Sequence, residues 1–149
     1  MGSYISNQVH FVWATKDREP LIKPGWRERL HGFLGGILDK KKCHLLAAGG
    51  VDDHVHVLAS LSATVSLAEI AGALKANSSR WIHETIPGTE NFQWQEGYGA
   101  FSVSKSAEPR VANYVRTQEE HHSRQSFQDE FLALLEKHKI TYDDRYLWV

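Results

Sequence analysis

One cysteine, one methionine and four prolines in 149 residues leave little to cross-link this chain or to interrupt it. With Cys43 alone an intrachain disulfide is excluded, and the expected role of that thiol is packing in a reducing compartment. No apolar run approaches the ~20 residues that cross a bilayer, and no secretory h-region opens the chain. The expectation is therefore a cytoplasmic protein with no membrane association. Net charge is scarce as well. Seventeen Lys and Arg against eighteen Asp and Glu give −1, which argues against a uniformly basic nucleic-acid coat. No repeat or low-complexity stretch appears.

What is present describes an ordinary globular chain, 42% hydrophobic and 23% charged. Its length fits one domain, residues 1–149, with enough chain for a real core. The charge is unevenly spread. Residues 16–42 hold eight bases (Lys16, Arg18, Lys23, Arg27, Arg29, Lys40, Lys41, Lys42) and four acids, a local +4, whereas residues 119–149 hold four bases and seven acids, −3. A phosphate backbone finds a basic surface only in the first part, although a solvated helix face accounts for the same run.

Asn7 to Thr15 predicts a first strand, because Val9, Phe11 and Trp13 alternate with Gln8, His10 and Val12. Trp26, Leu30, Phe33, Leu34, Ile37 and Leu38 recur at helical spacing and predict a helix over about Gly25 to Lys41, with Gly32, Gly35 and Gly36 permitting close packing. Cys43 to Gly50 and His54 to Leu61 read as two strands around a Gly-Val-Asp-Asp connection. Ser66 with Glu69 has the spacing of a capping box and opens a second long helix that Pro87-Gly88 ends. After an aromatic-rich loop, Ala100 to Ser104 makes a fourth strand. Ser106 and Pro109 open a helix running to about His122, and Ser126 with Asp129 opens another through Lys137. The order β-α-β-β-α-β followed by helices predicts an α+β, ferredoxin-like (split βαβ) fold. It has a four-stranded antiparallel sheet, helices on one face, added C-terminal helices, and the third strand central.

That third strand carries the most informative tripeptide, His54-Val55-His56. Alternation along a strand points both imidazoles one way and Val55 and Val57 the other, into a core. Two neutral imidazoles this close suit a divalent metal that needs further ligands. Two polar residues on the solvent face of an amphipathic strand are the alternative. In the late helix Tyr114, Gln118 and His121 are spaced i, i+4, i+7 on one face, with Val111, Val115 and His122 on a neighbouring stripe. A packing role for Tyr114 is the alternative there.

In combination these motifs resemble the HUH single-tyrosine transposases of the insertion-sequence 200/605 type, with their relatives acting on repetitive extragenic palindromes. The resemblance spans nearly the whole chain. It includes Val9-His10-Phe11-Val12-Trp13-Ala14-Thr15-Lys16, His54-Val55-His56, Leu74-Lys75-Ala76-Asn77-Ser78-Ser79-Arg80-Trp81, Phe92 to Phe101, and Tyr114-Val115-Arg116-Thr117-Gln118-Glu119-Glu120-His121-His122. It implies that His54, His56 and Gln118 bind Mg²⁺ or Mn²⁺ and that Tyr114 attacks single-stranded DNA at hairpin-bearing ends through a 5′-phosphotyrosine intermediate. It further implies a homodimer in which one subunit's helix completes the other's site, with a hinge at Gly99-Ala100 or between Ser102 and Glu108.

His121 is a further candidate base or ligand. Arg27, Arg29, Lys40, Lys41, Lys42, Lys75, Arg80 and Lys105 are candidate phosphate contacts, and Trp94 and Tyr98 are candidates for stacking on an extruded base or for packing. The relatives' basic C-terminal extension is missing, which makes the chain look like the short mobile-element enzyme. Two other functions stay open: a non-catalytic nucleic-acid-binding module, and a metal-dependent phosphoesterase in which Tyr114 is structural.

Overall fold

The computed structural model describes residues 1–149. Strand β1 (Gln8–Ala14) leads through a short 3₁₀ turn to helix α1 (Pro24–Lys40). Strands β2 (His44–Gly50) and β3 (His54–Ser60) follow, then α2 (Leu67–Thr85) and β4 (Gly99–Val103). Helices α3 (Glu108–Arg116), α4 (Gln118–His122) and α5 (Phe127–Lys137) complete the chain. The sheet order is β2-β3-β1-β4 with every pairing antiparallel. This is the predicted α+β, split βαβ arrangement, with β3 inside the sheet.

Alternation sorts the central strands into two faces. Val9, Phe11, Trp13, Val55, Val57 and Ala59 meet Leu30, Leu34, Leu38, Ile70, Leu74 and Ile82 of α1 and α2 in the main core, which also holds Cys43. The opposite face carries His10, His54 and His56. It is covered in turn, by Phe127 and Leu135 against Val12, Ala14 and Phe101, and by Ala112 and Val115 against Ala47 and Leu58. The histidine face is thus no solvent face. Both imidazoles are fully buried, because the three C-terminal helices roof them.

Local signals set most boundaries. The Ser66 hydroxyl accepts from the Glu69 N–H at 3.1 Å and Ser126 accepts from Asp129 at 3.1 Å, as N-cap residues do. The reciprocal arm of a capping box is missing at Ser66, since the Glu69 carboxylate turns to Lys41 at 3.3 Å. Of the α1 glycines only Gly35 faces a close neighbour, the Leu45 side chain; Gly32 and Gly36 face open space, so the expected packing role fails for those two.

One difference from the sequence-based expectation and one close approach of backbones shape the site. The helix expected to run to about His122 starts at Glu108 and breaks at Thr117 (φ −107°, ψ 33°) into α3 and α4. The Thr117 hydroxyl donates to the Asn113 carbonyl at 2.8 Å, a back-bond that bends helices. Gly49 and Gly50 close β2, the strand expected from Cys43 to Gly50. A Cβ at Gly49 would sit 1.8 Å from the Val115 carbonyl oxygen, so backbone presses on backbone where α3 crosses the sheet. Any side chain there must push α3 away, and Tyr114 with it.

Candidate active site

Four elements converge on one buried cluster. Strand β3 supplies His54 and His56, α3 supplies Tyr114, α4 supplies Gln118 and His122, and α5 supplies Glu130. The nitrogen and oxygen ligand atoms of His54, His56, His122 and Glu130 all lie within 4.8 Å of one another. Glu130 is the hub. Its Oε1 lies 3.0 Å from His56 Nε2, 3.0 Å from His122 Nε2 and 3.3 Å from His54 Nε2. Its Oε2 accepts a hydrogen bond from the Tyr114 hydroxyl.

Gln118 turns its Oε1 to His54 Nε2 at 3.3 Å, while its Nε2 donates to the Tyr114 carbonyl at 3.1 Å. The helix break at Thr117 therefore keeps the amide and the phenol together. Tyr114 is half-buried, its ring edge-on to His56 at 5.8 Å and tilted against His121 at 4.7 Å. His121 bonds Thr117 at 3.1 Å and stays outside the cluster.

A second layer orients the imidazoles. His54 Nδ1 donates to Asp53 at 2.6 Å, and His56 Nδ1 pairs with His10 Nε2 at 2.7 Å. Because a carboxylate only accepts, His54 faces acceptors through both nitrogens, whereas a neutral His56 carries its proton on Nε2 here. The electrostatics follow. Burial pulls the His54 pKa down, but the bonds to Asp53 and Glu130 outweigh it and raise it to about 9. Burial dominates at His56, against Glu130, and lowers it to about 4, and burial with the neighbouring His56 lowers His10 to about 3. For Glu130, burial opposes ionisation, yet the bonds from His122, His54 and His56 hold its carboxyl far below the usual range. Burial, then the bond to Glu130, pushes the Tyr114 phenol up.

These shifts predict a stability maximum near pH 6.5 for the metal-free protein. The stability that His54 adds is fully present below its ordinary 6.5 and is lost as pH rises through about 9. His10 and His56 act oppositely. Below 6.5 the unfolded chain binds protons that the fold refuses, so stability falls toward pH 4 by up to about 1.4 kcal/mol per unit for each. Urea midpoints in chelator across pH 4 to 9 check this, and stability that keeps rising to pH 9 contradicts the His54 pairing.

The donor set fits a divalent cation, since imidazole nitrogens, a carboxylate and an amide oxygen converge in one buried cluster. His122 and Glu130 were not among the expected ligands. One signal marks Glu130: it shares the apolar stripe Phe127, Phe131, Leu134, where a charge needs partners.

The expected phosphate contacts do not gather around the cluster. Arg27 is buried, donating to the Ile22 carbonyl at 2.8 Å and pairing with Glu119 at 3.3 Å. Lys75 donates to the Glu96 and Gly97 carbonyls, Arg80 bonds Asn77, Arg29 lies over Trp81, Lys105 pairs with Glu108 and Lys41 with Glu69. Lys40 and Lys42 are exposed where α1 turns into β2, at the sheet end away from His54. Trp94 is buried and donates to Ser78 at 3.0 Å, which is packing, while Tyr98 is 39% exposed.

Residues 3–118 match the family described as IS200-like transposases. The ISDra2 transposase TnpA of Deinococcus radiodurans is 22% identical over 116 residues, covering 74% of this chain and 83% of that one. The IS200 transposase of Salmonella typhimurium is 26% identical over 117 residues, covering 74% and 76%. Among solved structures, a Deinococcus radiodurans chain described as a candidate transposase superposes with a TM-score of 0.64 at 22% identity, covering 77% of this chain and 93% of its own. A REP-associated tyrosine transposase bound to a REP hairpin gives 0.56 at 14% identity, covering 77% and 68%. At these identities the structures establish the shared fold, and the match over residues 3–118 establishes kinship: this chain belongs to the IS200-like transposase family.

Proposed function

We propose that this transposase cleaves and rejoins single-stranded DNA at hairpin-bearing ends, with Tyr114 as nucleophile and a divalent cation, Mn²⁺ or Mg²⁺, held by His54, His56 and Gln118. His122 and Glu130 add to the donor set. One observation carries this reading. Glu130 touches the imidazole cluster with one oxygen and the Tyr114 hydroxyl with the other, so nucleophile and cation donors lie within the span of a single carboxylate. The hairpin in the solved REP-associated relative supports the substrate class.

The residues divide the work. Glu130 aims the Tyr114 oxygen and keeps it at hand in protonated form. Asp53 and His10 hold the two strand imidazoles in fixed rotation; a cation would take His56 through Nε2 once the ring's proton moves to Nδ1, toward His10. A bound cation supplies Lewis-acid polarisation of the scissile phosphate. The Tyr114 oxygen bonds to phosphorus, the bond from phosphorus to the DNA 3′ oxygen breaks, and that oxygen leaves as a hydroxyl while the phenol gives up its proton. One phosphodiester replaces another, so the reverse attack rejoins DNA without ATP.

The exposed cations Lys40 and Lys42 are positioned to hold hairpin duplex away from the chemistry. The reading includes a homodimer that exchanges its Tyr114 helices. Mixing His54→Ala with Tyr114→Phe protein then restores cleavage, whereas no restoration places each complete site within one chain. The test of the function itself is a denaturant-resistant adduct between the protein and a labelled hairpin-ended single strand in Mn²⁺, carrying the DNA 3′ to the cut. Cut fragments with no adduct overturn it.

A further inference from the structure

A cleft of about 650 Å³ opens beside the Tyr114 hydroxyl, between β4, α3 and α5. Its volume is in the usual range of small-ligand and cofactor sites, roughly 300–1,000 Å³. Tyr114, Glu130 and His10 close its inner end. Phe101, Val103, Val111 and Leu134 line it with apolar surface, and the Phe101 ring stacks on His138 at 4.6 Å.

The cleft's polar groups suit one kind of occupant. Arg110 on α3 and Lys137 on α5 line it from two helices, both exposed and neither paired with a carboxylate. Ser102 faces it from β4, the edge strand, whose outer backbone groups have no strand partner, and Ser104 faces it from just beyond that strand. Cations for phosphate, an apolar and aromatic wall for a base, and free hydrogen-bonding groups for a base edge are what single-stranded DNA requires. A wholly apolar ligand would leave Arg110 and Lys137 unanswered.

We propose that this cleft seats the nucleotide adjoining the scissile phosphate of single-stranded DNA, with Arg110 and Lys137 holding its flanking phosphates and the Phe101 and His138 wall taking its base. The proposal rests on the transposase reading for the position of the cut, but its binding test does not. None of the expected phosphate contacts lies here. The cleft joins the cluster to a path for the strand, and that path differs from the Lys40 and Lys42 surface.

The experiment uses the full chain with Mn²⁺ and a short fluorescent single strand of random sequence, titrated over a range of salt. The double variant Arg110→Ala/Lys137→Ala should weaken binding at low salt and reduce the slope of log affinity against log salt by about 1.4, the loss of two single-strand phosphate contacts. Lys16→Ala/Lys23→Ala, which removes two exposed cations outside the cleft, should leave that slope as in wild type. An unchanged slope in the cleft variant, or a reduction carried by the lysine variant instead, overturns the proposal.

On a cleavable hairpin-ended strand, an abasic nucleotide beside the cut should weaken wild type roughly tenfold or more through lost stacking. It should weaken Phe101→Leu far less, and equal losses in both overturn the base assignment. A protein that makes no adduct yet shows the slope change loses the transposase chemistry and keeps the strand site. An adduct with no slope change keeps the chemistry and loses the cleft.

Discussion

Tyr114→Phe is expected to abolish the covalent DNA adduct and to slow strand cleavage by on the order of 10⁴-fold or more, with the fold intact. The phenyl ring keeps its contacts with His56 at 5.8 Å, His10 at 6.3 Å and His121 at 4.7 Å. Only the hydroxyl's bond to Glu130 is lost, at a cost of at most about 1.5–3 kcal/mol for a bond to a charged group. Adduct on a denaturing gel, single-turnover cleavage and the melting temperature measured together separate chemistry from folding. Cleavage that survives in the variant identifies water as the nucleophile and Tyr114 as structural. Hairpin binding without cleavage in wild type identifies a binding module.

Glu130→Ala is expected to weaken Mn²⁺ binding by roughly 100-fold or more and to remove most cleavage. The carboxylate is the single anion that all three clustered imidazoles share, and its other oxygen sets the direction of the nucleophile. Without it His54 keeps only Asp53 as a charged partner. Calorimetric titration of Mn²⁺ into the variant measures the loss directly. A gain in Mn²⁺ affinity reverses the assignment, because the carboxylate then stands in the cation's place and competes with it. His54→Ala and His56→Ala provide the comparison: both should lose cleavage while binding a DNA hairpin nearly as wild type does. Wild-type cutting by either variant overturns the metal assignment.

The strands and the first two helices were legible because their signals are local. Alternation around Val9, Phe11 and Trp13, the helical stripe from Trp26 to Leu38 and the cap at Ser66 each act within a few residues, and each element appears within a residue or two of its expected bounds. The break at Thr117 was not legible. It depends on one hydroxyl choosing the Asn113 carbonyl and on α3 lying against the Gly49 backbone, a contact between segments 66 residues apart. The place of Arg27 was not legible for a related reason. Arg27 reads as surface charge in a basic run, yet Ile22 and Glu119 take its guanidinium inside the fold.

The site divides along the same line. The sequence alone determined that two imidazoles share one strand face and that a phenol and an amide stand one helical turn apart, because strand and helix periods are properties of the backbone. Tertiary structure decided the rest. It roofed the histidine face with α3, α4 and α5, brought Glu130 across 74 positions to His56, and left a cleft with two free cations beside the Tyr114 hydroxyl. A buried charge must find partners wherever the chain packs them, and no spacing along the sequence records which distant segment will supply them.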